Sequence, residues 1–181
     1  GRAKGKALRS GQQTLVDTLL PQIAVPEEGP VTAERLFGQD CPLHFEIGFG
    51  GGEHMAMRAD MLPDHGFIGC EPFLNGVAQA LTHVSGDNGA HPPVGNVRIH
   101  HGDALEVLRR VPDGALSFLY LLHPDPWPKA RHAKQRLVYV DALASFRPLL
   151  ATGGTVTLRT DSRPLGDFAL GHFEAAGSGG F

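Results

Sequence analysis

Residues 115–122, ALSFLYLL, form a nearly unbroken apolar run that ends just before three closely spaced prolines, Pro124, Pro126 and Pro128. A short run of that kind suits a central strand buried on both faces. Strands of that type belong to parallel sheets, whose connections are helices. The rest of the chain should therefore alternate strand and helix, and it does.

LHFEIG (43–48), FIGCE (67–71), NVRIHHGD (96–103) and GGTVTLRT (153–160) read as further strands. Between them, EHMAMRADML (53–62) reads as a helix stopping at Pro63, and FLNGVAQALTHV (73–84) as one weakened by Gly76. ALEVLRRV (104–111) ends at Pro112, QRLVYVDALASFRPLL (135–150) is helix-like, and DFALGHFEAA (167–176) closes the series. Residues 85–95 are loop by composition. GQQTLVDTLL (11–20) has helical spacing and is expected to end at Pro21. No internal repeat is visible. The expected fold is α/β, a mostly parallel central sheet with helices on both faces. We divide the 181 residues into a basic tail with a short helix (1–20), a Pro/Gly-interrupted connecting segment (21–42) and the α/β unit (43–181).

The formal net charge of −3 gives no sign of a polyanion binder, but its distribution does. Of 16 Lys and Arg, four lie in the first nine residues (Arg2, Lys4, Lys6, Arg9) and four more between Lys129 and Arg136. Local basic patches engage phosphates even on an acidic protein, although a lone basic run is as often a solvated surface. Two cysteines, Cys41 and Cys70, are too few for a disulfide framework; they read as small buried thiols and suit a reducing, cytoplasmic setting. No membrane-spanning run or signal-peptide pattern is present. The ten histidines show no metal-ligand spacing, and none of the expected functions needs a metal.

In an open parallel sheet, ligands bind outside the carboxyl ends of the strands. Glu46 stands two residues before a GxGxG turn, Gly48-Phe49-Gly50-Gly51-Gly52. Glycines there let the backbone turn sharply and a ligand approach closely, yet an ordinary tight turn is an equal reading. The second strand ends at Glu71, an acid suited to both ribose hydroxyls or to capping the next helix. The third is followed by Asp103, suited to an exocyclic amine or to an N-cap. Three acids at three successive strand ends suit a ligand with a ribose, an amine and a positive charge but no phosphate. S-adenosylmethionine meets that description better than a nicotinamide dinucleotide, whose pyrophosphate the carboxylates would repel.

After the fourth strand comes HPDPWPKARHAKQR (123–136), with the chain's single Trp127. With GRAKGKALRSGQQ, EIGFGGG, FIGCEP, GDALEVL and RTD, this loop makes the chain resemble the bacterial tRNA (guanine-N7)-methyltransferase family, over most of its length. The resemblance implies a Rossmann-like class I methyltransferase fold and transfer of a methyl group from S-adenosylmethionine to a guanine in the tRNA variable loop, at conventional position 46. It implies that Glu46, Gly48, Gly50, Glu71 and Asp103 bind the donor, together with Asp125, which also holds the catalytic role. Lys129, Arg131 and Asp161 would contact tRNA, the expected partner of a monomer or homodimer that uses neither metal nor membrane.

Some positions depart from the family pattern. His123 stands where an aromatic is common, Leu165 where a Tyr is usual, and Lys134-Gln135-Arg136 replaces KRR. The chain given ends at Phe181, before the family's Thr-x-Phe-Glu-like substrate motif, so that motif is expected to be missing here.

The residue types suit the chemistry. Guanine N7 carries a lone pair and no proton, so its methylation needs no proton-abstracting base. It does need in-line positioning and negative charge beside the ring that becomes cationic. Asp125, held between Pro124 and Pro126, offers both. Trp127 would brace the loop or stack on a base, and the cations that follow would meet phosphates. Three alternatives stay open on residues alone: a methyltransferase of exocyclic amines, of which Asp125-Pro126-Trp127 is an imperfect signature; a non-catalytic donor- or tRNA-binding protein; and, least favoured by the GxGxG spacing, a dehydrogenase.

Overall fold

The structure, a computed structural model, describes residues 6–86, 95–122 and 144–159. In chain order its elements are α1 (Ser10–Thr18), α2 (Leu20–Ile23), α3 (Ala33–Phe37), β1 (Leu43–Ile47), α4 (Glu53–Met61), β2 (Gly66–Glu71), α5 (Leu74–Val84), β3 (Val97–His101), α6 (Ala104–Leu108), β4 (Leu116–Leu122) and β5 (Leu150–Arg159), the last preceded by a 3-10 turn at Arg147–Leu149.

The five described strands make one sheet in the order β3-β2-β1-β4-β5, and every pairing is parallel. The chain winds outward from β1 to β3, returns to β4 on the other side of β1, and winds outward again. The point of reversal lies between β1 and β4, where an open sheet of this kind leaves a crevice at its carboxyl edge. The expected Rossmann-like α/β fold is the one observed.

Register divides the side chains between two faces, because alternate residues of a strand point to opposite sides. Phe45 pairs with Ile68 and Leu119, and these residues join one buried cluster with Val107 and Leu108 of α6 and Val31, Ala33 and Leu36. On the other face Phe67, Val97 and Ile99 join a second cluster with Met55 and Ala59 of α4 and Val77, Leu81 and Val84 of α5. The sheet is thus covered on both faces, which is why its strands are so apolar.

Residues 21–42 pack tightly against this unit. Val25 donates its N–H to the Ile99 carbonyl at 3.0 Å, beside the outer edge of β3, and Val31 is fully buried. That bridge occupies the edge at Ile99, where the backbone would otherwise be open to pairing with another chain.

Three expected boundaries move. Pro21 does not end helical structure; it sits in the first turn of α2, where its missing N–H costs nothing. The helix expected over 135–150 closes as the 3-10 turn around Pro148, and Leu150 already belongs to β5. β5 starts earlier than its GGT signal because the ladder slips there: Leu116 pairs with Leu150 but Phe118 with Thr155, and Gly153 takes a φ of 76° inside the bulge. Residues 123–143 and the helix expected over 167–176 lie outside the described residues. Cys41 is half-buried and Cys70 buried; both thiols are free, and burial raises the pKa of each.

Candidate functional site

β1 delivers Glu46 to its carboxyl end, paired with Gly69 on one side and Tyr120 on the other. Glu46 is buried, and its Oε2 lies 2.9 Å from Nδ1 of His54 in the first turn of α4. Burial pushes its carboxyl above the usual carboxylate range, and the His54 contact pulls it part of the way back. Gly69, with no side chain, leaves room for Phe49 and Met55; a Cβ there would fall 2.5 Å from the Met55 sulfur.

The glycine turn after β1 is built by alternating left-handed residues: φ is 64° at Gly48, 60° at Gly50 and 76° at Gly52. The Gly48 N–H donates to the Cys70 carbonyl at 2.8 Å, tying the turn to β2. Around a Cβ built on Gly48 or Gly50 there is nothing within 4 Å, so both face open space. Gly52 has a different reason to be glycine, since its Cβ would fall 2.5 Å from that of Ala80 on α5.

Glu71, at the end of β2, is buried with both carboxylate oxygens engaged. Oε2 accepts the Gly50 N–H at 2.8 Å, and Oε1 accepts the Phe73 N–H at 3.0 Å. Each oxygen retains a second lone pair able to accept a further donor. Glu46, Gly69 and Glu71 lie on the sheet face that α4 and α5 cover, at its carboxyl edge. One strand further out, Asp103 is exposed and caps α6, its Oδ1 accepting the Leu105 N–H at 2.9 Å.

The structure therefore gathers Glu46, Gly48, Gly50 and Glu71 into one cradle and sets Asp103 at the neighbouring strand end. Asp125, Lys129, Arg131 and Asp161 lie outside the described residues. The cradle fits an adenosyl sulfonium compound: open ground over two glycines, buried carboxylate for cationic and hydroxyl groups, and Glu53 in the first turn of α4, which disfavours a phosphate there.

Lys6 is anchored at this edge. Asn75 in the first turn of α5 donates Nδ2–H to the Lys6 carbonyl at 2.7 Å, and α1 lies against α5 through Leu15, Val16 and Leu19. The placement of Lys6 beside α5 had no local signal, since it arises from a tertiary contact.

Sequence reading also missed an aromatic and polar stack behind Glu46. The His44 ring lies between Phe67 of β2 and Phe118 of β4, with centroids at 4.1 and 4.3 Å. Its Nδ1 is 3.1 Å from the Tyr120 hydroxyl and its Nε2 is 2.8 Å from Nδ1 of His65. Arg58 also donates to the Tyr120 hydroxyl at 3.3 Å, and His54 meets the Tyr120 ring edge-on at 5.0 Å. The available signal was parity: His44 and Glu46 are polar residues two apart in an otherwise apolar strand. At the opposite edge of the sheet a cavity of about 390 Å³, lined by Phe37, Cys41, Asp60, His65 and Asn96 among others, includes none of the expected site residues.

Among the described residues no helix is long and apolar enough to cross a membrane, and no cluster of side chains has the make-up of a metal site.

Comparison with known proteins agrees with this fold. A family profile described as "Putative methyltransferase" matches residues 40–178. The tRNA (guanine-N(7)-)-methyltransferase of Novosphingobium aromaticivorans is 76% identical over 161 residues, which cover 89% of this chain and 68% of that protein. The protein of the same name from Sphingopyxis alaskensis is 74% identical over the same shares. Among solved structures, a precorrin-6y C5,15-methyltransferase from Geobacter metallireducens shares the fold at a TM-score of 0.57 and 16% identity, covering 97% of this chain and 75% of that one.

Proposed function

We infer the function from this premise: the chain belongs to the bacterial tRNA (guanine-N(7)-)-methyltransferase family. It transfers a methyl group from S-adenosylmethionine to N7 of a guanine in tRNA, and the guanine is the variable-loop base at conventional position 46. The observation that carries the donor half of this reading is the Glu71–Gly50 contact of 2.8 Å, which fixes an open glycine turn beside the buried Glu46.

The donor, when bound, supplies an electrophilic methyl group on a positively charged sulfur. The chain's own residues do the rest. Glu46 and Glu71 place negative charge beside the cationic and hydroxyl groups of the ligand, in surroundings drier than water, where such interactions are stronger. The Gly48 and Gly50 backbone lets the ligand come close. Asp103 takes the exocyclic amine at the next strand end. Asp125 positions the guanine and offsets the charge that develops on the ring, while N7 needs no base. Lys129, Arg131 and Asp161 hold tRNA, joined by the cations of residues 1–10. Residues 43–181 form the transferase unit and residues 1–20 the basic arm.

The test offers labelled donor with unmodified tRNA, duplex DNA and protein in parallel. Label in tRNA alone is expected. Label in DNA or protein would return the chain to a methyltransferase of another substrate, and donor binding with no transfer to any of them would leave a non-catalytic binder.

A further inference from the structure

We propose that His54 is a positioning residue for the donor site: it holds the Glu46 carboxylate ionised and oriented at the edge of the sheet. The proposal rests on the donor reading given above. It goes beyond the motif acids, because His54 lies past the glycine turn and its imidazole contacts a protein carboxylate, with no part in the transfer itself.

The geometry is specific. Glu46 is buried, and its Oε2 has one described side-chain partner, Nδ1 of His54 at 2.9 Å. A carboxylate in such a place, left without a hydrogen-bond donor, takes up a proton instead of keeping its charge. His54 is itself fixed from behind: its ring stands edge-on to Tyr120 at 5.0 Å with planes 67° apart. Tyr120 is held in turn by His44 and Arg58 through its hydroxyl. The imidazole is therefore set in orientation by one strand and directed at a carboxylate on the next.

The neighbouring charges are few and their effects can be signed. Glu53, beside His54 in the sequence, pushes the Glu46 carboxyl further up, as burial already does, and His54 opposes both. Glu53 is itself engaged by Gln79 at 2.7 Å and by His83 at 3.7 Å. Arg58 and His65 face the His44 end of the stack. Among the described residues, His54 is the group that keeps Glu46 charged.

The first readout is donor affinity by calorimetry, without tRNA, from pH 5 to pH 8, on wild type, H54A, H54Q and E46Q. His54→Ala should weaken binding by about tenfold at pH 7, the size of one charge-assisted hydrogen bond. It should also move the acid limb of the binding curve to higher pH. His54→Gln restores an N–H donor without a charge, so it should recover part of the affinity and move the limb part of the way back. The second readout needs no ligand: the Glu46 carboxyl, followed by carbon NMR, should titrate at higher pH in H54A than in wild type. An H54A protein with wild-type affinity, the same limb and an unmoved Glu46 titration would overturn the proposal. If wild type itself binds no donor, the donor reading falls and takes this inference with it. If wild type binds and E46Q weakens binding while H54A does not, only the role of His54 falls.

Discussion

Glu71 holds Gly50: the carboxylate at the end of β2 accepts the backbone N–H of the turn that follows β1, at 2.8 Å. One acid thereby shapes the glycine turn and, through its other oxygen, accepts the Phe73 N–H at the start of α5. The donor-binding role that we propose for Glu71 would use the lone pairs these two contacts leave.

That double duty has a measurable signature. Glu71→Ala removes the side-chain acceptor of the Gly50 and Phe73 N–H groups and should cost about 1–2 kcal/mol of stability, at roughly 0.5–1.5 kcal/mol net for each hydrogen bond. Glu71→Gln keeps one acceptor oxygen but sets an NH2 against the other N–H, so its stability should fall between that of Glu71→Ala and wild type, and it should bind donor weakly. Chemical denaturation and calorimetry on the pair separate the two contributions.

The glycines of the turn should divide in the same way. Gly48→Ala meets no atom and carries only the left-handed backbone penalty, about 1–2 kcal/mol, while placing a methyl in the open crevice. It should fold and fail to bind donor. Gly52→Ala adds a Cβ 2.5 Å from that of Ala80 and should lose about 3 kcal/mol or more from strain and overpacking together. Thermal unfolding beside donor titration distinguishes the two.

Much of this was legible in the sequence, for identifiable reasons. Proline stops and apolar runs marked the strands β1 to β4 to within a residue or two, because burial on both faces leaves little choice of residue. The places of Glu46, Glu71 and Asp103 at strand ends were legible because the alternation of strands and helices shows where each strand stops. What escaped depended on pairing between distant strands. Nothing near His44 in the chain indicates that Phe67 and Phe118 will enclose it, and the slip of β5 against β4 is fixed only once Leu116 and Leu150 meet. The N-cap role of Asp103, by contrast, was one of two local readings and is the one visible in the geometry.

His44 gives a pH signature. Burial, with His65, Arg58 and His54 nearby, holds its pKa down at about 3 against an ordinary 6.5. Between those values the unfolded chain binds the proton and the folded chain does not. Stability should therefore fall as pH drops from 6.5 toward 3, by up to roughly 1.4 kcal/mol per pH unit, and this contribution should be flat above 6.5. His44→Phe removes the group. Whatever its offset at pH 8, its stability relative to wild type should rise steadily on acidification. A constant difference in melting temperature from pH 8 to pH 4 would contradict this.

The amino-terminal cations should act through charge. Lys6 is tied to Asn75 in the first turn of α5. Deleting residues 1–10 should weaken tRNA binding more at low salt than at high salt, and flatten the dependence of log affinity on log salt. Filter binding at several salt concentrations measures both.

For Asp125, the expectation is loss of turnover with donor binding kept. Asp125→Ala should lower transfer by about a hundredfold, the size of one well-placed electrostatic contact, while calorimetric donor affinity falls only a few fold because Glu46, Glu71 and Asp103 still hold the donor. Normal turnover in that variant would remove Asp125 from the mechanism.

The most direct measurement of the central claim is to incubate the protein with donor and unmodified tRNA, cleave the product chemically at 7-methylguanine and map the break. We expect a single cut in the variable loop, dependent on both protein and donor. Methylated tRNA that resists this cleavage, or that breaks elsewhere, would contradict the assignment of atom or position.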